Sequence, residues 1–146
     1  MYAAVGSYFA RVARVFEFRW KHYPPLWATL VLALGIYVNF FSHHFVFDVR
    51  YVLFALTAII FLRCQVYYRV WRWRHRMPLL LGFLLVSFFI WIAENIATLT
   101  QIWLYPNQEA GWHMVSVQKL GSWYLLMLVS WVLVTLVHRP KAVEAS

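Results

Sequence analysis

The chain has 146 residues, of which 64% are hydrophobic, 21% aromatic and 12% charged, with a net charge of +8. Soluble domains run about 45–50% apolar and 25% charged, and a fold this small leaves too much surface exposed to hide the excess. Composition therefore argues against soluble, disordered, collagen-like and disulfide-framed chains, the last because Cys64 is the one cysteine, and points to an all-α, polytopic helical membrane protein.

Residues 1–19 come first. Val5, Phe9, Val12 and Phe16 fall on one helical face, with Arg11, Arg14 and Glu17 away from it. That spacing predicts an N-terminal amphipathic helix at the interface, or the inner end of a span. Residues 1–10 have no basic segment before them, so no cleavable signal peptide is expected. Pro24 and Pro25 are expected to end this helix and open the next.

Four apolar runs follow: 25–41, 51–62, 77–93 continuing past Glu94 to 103, and 120–137. A helix needs about 20 residues to cross 30 Å of hydrocarbon, with about 17 tolerated. The second run is short, so Arg63 is expected to snorkel and residues 66–68 to lengthen the helix. Pro78 opens the third helix and Pro106 ends it. Residues 120–124, with Gly121 and Ser122, open the fourth and permit close helix approach. Four transmembrane helices thus form one domain, 1–140, followed by a disordered tail, 141–146.

Basic residues orient these spans. Arg11, Arg14, Arg19 and Lys21 precede the first run; Arg50 alone separates the first from the second. Arg63, Arg69, Arg72, Arg74 and Arg76 precede the third, Lys119 the fourth, and Arg139 and Lys141 follow it. The alternation places loops 42–50 and 104–119 outside, and 63–76 and both ends in the cytoplasm. The basic and aromatic residues of 63–76 are expected to meet anionic lipid headgroups rather than nucleic acid.

Glu94 is the leading candidate for function. It is a lone charge in an apolar stretch, where an acid costs on the order of 2.5–3.5 kcal/mol on insertion scales. Ser87, Thr98 and Gln101 share its helical face, with Trp91 and Asn95 flanking it. About sixteen residues past Pro78, or roughly 24 Å of rise, it belongs in the outer half of the bilayer. Removal from water disfavours its charged form, so Glu94 is a candidate general acid or base assisted by Asn95, with a structural interhelix hydrogen bond as the alternative.

A second constellation is Asn39, His43, His44 and Asp48, where the imidazoles and carboxylate suggest a weak metal site or a proton relay. The plainer reading is an interfacial turn with a capping Asp. The third feature, Trp103, Tyr105, Pro106, Glu109 and His113, is expected to form an aromatic belt, or else to line a ligand. Cys64, beside Arg63, is a candidate for a lowered thiol pKa. The sequence carries no phosphate loop, Ser/His/Asp arrangement or CxxC pair, and it assigns no cofactor.

The stretches 2–8, 37–41, His43–His44, 76–83, 91–95, 103–106 and 119–123 together resemble a family of bacterial inner-membrane proteins, domain of unknown function 817. The resemblance covers nearly the whole chain and implies a fold and a multi-pass location in the bacterial cytoplasmic membrane. Family members are about twice this length, and this chain resembles their C-terminal half. The resemblance further implies that residues 94–106 are one of two related elements, and that a half-length chain dimerises or pairs with the missing half. Three functions follow as expectations: an enzyme acting on a lipid or isoprenoid through Glu94, a transporter or channel component with a polar stripe around Glu94, and a structural membrane protein without chemistry.

Overall fold

The computed structural model describes residues 2–42, 45 and 47–139. Residues 1, 43, 44, 46 and 140–146 therefore lie outside it, and with them the two histidines of the suggested metal site and the expected tail.

Helix α1 (Tyr2–Val15) presents the expected face: Phe9 is buried and meets the Trp131 ring edge-on at 5.7 Å. It ends before the two prolines. Glu17 and His22 take left-handed backbone angles, φ 50° and 55°, and bracket strand β1 (Arg19–Lys21). Helix α2 (Leu26–Ser42) opens directly after Pro25, and α3 (Arg50–Phe61) runs back.

Residues 66–68 do not lengthen α3. They belong to β2 (Gln65–Val70), which pairs antiparallel with both β1 and β3 (Trp73–Pro78). The two-residue turn Trp71–Arg72 starts with φ 55°, the sign that tight hairpins favour. An all-α fold is thus corrected to a mostly helical one carrying a three-stranded sheet. The strands are rich in Val, Tyr and Trp, which suit a half-buried pleated surface. Cys64 and Val66 bury their side chains where the sheet meets the helices.

Pro78 caps α4 (Leu79–Leu99), as expected, and α5 (Val117–Val137) follows. Pro106 does not end α4. The helix stops at Leu99, Gln101 turns the chain with φ 58°, and Pro106 begins a short 3-10 turn, Pro106–Gln108. Helix α5 is central, packing against α1, α2 and α4. It is buried nearly all round, which suits its apolar sequence without an amphipathic stripe.

Length decides which helices can cross a bilayer unaided. At about 1.5 Å per residue, the 21-residue helices α4 and α5 each rise about 31 Å and are apolar enough to span. Helix α2, with 17 residues, rises about 25 Å and α3, with 12, about 18 Å. Two of the four expected spans therefore meet the length and hydropathy of a transmembrane helix. The second run falls short because its C-terminal extension went to the sheet.

An aromatic cluster fixes the sheet end of the bundle. Trp131 stacks at a tilt on Trp20, 4.8 Å between centroids, and Phe83 lies 6.3–6.4 Å from Phe61, Tyr124 and Trp131. The Tyr23 hydroxyl donates to Thr135 Oγ1 at 3.3 Å. Burial raises its pKa, with the Thr135 bond pulling the other way.

Candidate functional site

Glu94 lies five residues before the end of α4 and is 4% exposed. Both carboxylate oxygens are engaged. The Tyr105 hydroxyl donates to Oε1 at 2.7 Å, and the Trp123 indole N–H donates to Oε2 at 2.8 Å. One donor comes from the loop 100–116, the other from the second turn of α5. The carboxylate thus ties α4 to both elements that follow it. Charge-assisted bonds of this kind are roughly twice as strong as neutral ones, which offsets part of the cost of burying the acid. The ammonium of Lys119 adds to this: it sits 2.8 Å from the Tyr105 ring centroid and attracts Glu94 through space.

The neighbours of Glu94 fasten the same loop. Asn95 Oδ1 accepts from the Val115 backbone N–H at 2.9 Å, and the Trp91 indole donates to the Val115 carbonyl at 3.0 Å. Asn95 Nδ2 donates back to the Trp91 carbonyl at 2.8 Å, which fixes its orientation. One turn on, Thr98 Oγ1 accepts from the Trp112 indole at 3.1 Å. Spacings of three and four put Trp91, Asn95 and Thr98 on adjoining turns of α4, so one stripe of that helix serves as the loop's anchoring strip.

Within the loop, Gln108 accepts from the Tyr105 backbone N–H at 3.2 Å and donates to the His113 carbonyl at 2.5 Å. It is buried, and it carries the inward-facing backbone groups that a loop without regular structure leaves unpaired. The His113 ring is exposed and hydrogen-bonds the Asn107 carbonyl at 2.6 Å. Of the residues expected around Glu94, the fold brings together Trp91, Asn95, Thr98 and Tyr105. Gln101 and Trp103 are exposed beyond the helix end. Ser87 is fully buried, but its hydroxyl donates to the Phe83 carbonyl of its own helix at 2.6 Å. Sequence reasoning missed Trp123 as the second donor, along with the roles of Trp112 and Gln108. The available signal was the carboxylate itself, since a buried acid demands donors and Trp123 opens the next helix.

The chain matches the family described as Protein of unknown function (DUF817) over residues 1–131. It belongs to that family. The DUF817 chain is also similar to the Uncharacterized protein YoaT of Bacillus subtilis (strain 168), with 45% identity over 141 residues, covering 97% of this chain and 53% of the relative. It thus spans about half the length of the curated relative it matches. No solved structure matches it.

The second constellation in this DUF817 chain is a helix-joining turn as far as it is described. Asn39 Nδ2 donates to Asp48 Oδ1 at 3.1 Å, and Asn39 Oδ1 accepts from the Val49 N–H at 3.1 Å. Asp48 also accepts from the Arg50 N–H at 2.9 Å and pairs with its guanidinium at 3.2 Å. An acid at the start of α3 complements the helix dipole. Among the described residues, no three potential ligands cluster for a metal.

Cys64 behaves opposite to the expectation. Burial pushes its thiol up to about 12 from the ordinary 9.0, because an uncharged sulfur is favoured away from water. At pH 8 the folded protein then holds about a thousandfold less thiolate than a free cysteine. Iodoacetamide alkylation followed by mass spectrometry is expected to leave Cys64 unmodified until the protein unfolds. The folded pKa lies above the unfolded one, so this group's contribution to stability is full below about pH 9 and is lost as pH rises towards about 12.

Proposed function

We propose that this DUF817 chain is a four-pass structural module of the bacterial cytoplasmic membrane, in which Glu94 holds the outer loop closed and performs no chemistry. The observation that carries this reading is the double engagement of the Glu94 carboxylate by Tyr105 and Trp123. A general acid or base needs an oxygen within reach of substrate, and a conduit needs a polar group facing an open path. Here both oxygens face protein donors, and a wide cleft among the described residues lies at the opposite end of α5.

The α2–α3 hairpin supplies the other two passes. Both of its ends meet the sheet, since β1 precedes α2 and β2 follows α3. Near the sheet Tyr23 meets Thr135, and near the hairpin tip Asn39 borders the same small cleft as Ser122. These contacts are 13 residues apart on α5, about 20 Å of rise, so the tip approaches the outer end of the bundle. The bilayer adapts to a short span by local thinning, at a fraction of a kcal/mol per Å of mismatch.

Single cysteines at Arg72, Phe47 and Ala110 test this topology with a membrane-impermeant maleimide, because the native Cys64 is buried and silent. Phe47 and Ala110 are exposed. The expected outcome is labelling of Arg72→Cys in inside-out vesicles only, and of Phe47→Cys and Ala110→Cys in intact cells. Outside labelling of Arg72→Cys overturns the orientation. A silent Phe47→Cys beside a labelled Ala110→Cys reduces the module to two passes.

A further inference from the structure

The widest cleft among those described has no role in the reading above. It holds about 610 Å³ between α1, β1 and the end of α5. Ligand pockets run from about 300 to 1,000 Å³. Its rim carries Arg14, Arg19, His138 and Arg139, and one acid, Glu17. That acid is already paired outward, its Oε1 lying 2.9 Å from Arg69 Nη2 on β2. Arg14 is steadied along α1 by its Nε–H donating to the Ala10 carbonyl at 3.3 Å.

The opposite wall is apolar. Ala10, Val134 and Val137 line both this cleft and a second groove of about 380 Å³ that runs up between α1 and α5. Gly6 and Ala10, with little or no side chain, leave room on the α1 side of that groove. Trp131 also lines the main cleft. Its indole N–H has no partner at hydrogen-bond distance, and it is the buried side-chain polar atom left unsatisfied among the described residues.

A cationic rim continuous with an apolar groove matches one chemistry: an anionic phosphate head joined to a hydrocarbon chain. We propose that this cleft binds one anionic glycerophospholipid, with its phosphate among Arg14, Arg19 and Arg139 and an acyl chain in the α1–α5 groove. The proposal rests on the membrane orientation given above, which puts this end of the bundle at the cytoplasmic leaflet, where anionic headgroups attract basic side chains. The rim differs from the hairpin residues Arg72 and Arg76, which are exposed and line no part of the large cleft.

Native mass spectrometry of the full chain, released from neutral detergent, tests the proposal with three probes: phosphatidylglycerol, phosphatidylcholine and inorganic phosphate. Phosphatidylglycerol is expected to bind as one retained copy, at least tenfold tighter than phosphatidylcholine or inorganic phosphate. The Arg14→Gln/Arg19→Gln variant is expected to lose at least tenfold in that affinity, and Arg72→Gln/Arg76→Gln, with the same charge removed, less than threefold. Equal losses in the two variants overturn the site in favour of diffuse attraction. Inorganic phosphate binding as tightly as phosphatidylglycerol overturns the lipid as occupant. Thermal melting of both variants shows that each is folded. The lipid measurement is made in solution, so its failure is separate from a failure of the topology, which the cysteine labelling reads.

Discussion

Glu94→Leu is expected to destabilise the detergent-solubilised protein by about 2–4 kcal/mol, read as a lowered midpoint in SDS or thermal unfolding. Two buried donors lose their acceptor at once: the Tyr105 hydroxyl and the Trp123 indole N–H. A hydrogen bond to a charged group contributes about 1.5–3 kcal/mol, and an orphaned buried donor costs about 1–3. Interhelix hydrogen bonds in membranes average nearer 0.6 kcal/mol, which pulls the sum down from its upper limit. Glu94→Gln separates structure from chemistry. The amide oxygen can accept from Trp123 while its NH2 group donates to the Tyr105 oxygen, so the loss is expected to stay near 1 kcal/mol. A structural Glu94 therefore predicts that Glu94→Gln preserves the protein's cellular phenotype. A general acid or a proton carrier predicts that it abolishes the phenotype while the fold survives. Loss of phenotype with an unchanged unfolding midpoint would falsify the structural reading.

Phe83→Ala is expected to cost about 2–3 kcal/mol by the same measurement, and Phe83→Leu about 1. Phe83 is 2% exposed and its ring lies at the junction of Phe61, Tyr124 and Trp131. In water a Phe-to-Ala change in a core costs about 3–5 kcal/mol, part transfer and part cavity. The transfer part shrinks where lipid replaces water as the solvent of the separated helices. The cavity part persists, at about 24 cal/mol per Å³ of space left unfilled, and three rings held on two other helices, α3 and α5, cannot all close into it. A loss below 0.5 kcal/mol would show that the cluster collapses freely and does not set the spacing of α3, α4 and α5.

Helices α4 and α5 were legible because their apolar runs are long and nearly free of charge, and Pro78 marks the start of the first of them. Glu94 was legible for the same reason, as a single acid in such a run. The sheet was not. Residues 66–68 continue the apolar character of α3, and composition alone cannot tell a helix extension from a strand. The period-two alternation of aromatic and basic residues from 71 to 76 was the available clue, and it was read as a headgroup-binding surface. Strand β1 has three residues and no local preference to announce it; its conformation is set by pairing with β2, far along the chain. The second donor to Glu94 was hidden for a related reason. Spacing along α4 identifies what shares its face, and nothing in it reports which side chain of α5 will arrive opposite.

The pairing of β1 with β2 also orders events during biosynthesis. Lys21 faces Gln65 in the ladder, so the 43 residues 22–64 must be made between the two partners, a delay of several seconds at about 5–20 residues per second. Until then Arg19–Lys21 waits for its partner strand while α2 and α3 are made. The sheet thus closes only after the whole α2–α3 hairpin has been synthesised, which makes it a late step in the first half of assembly.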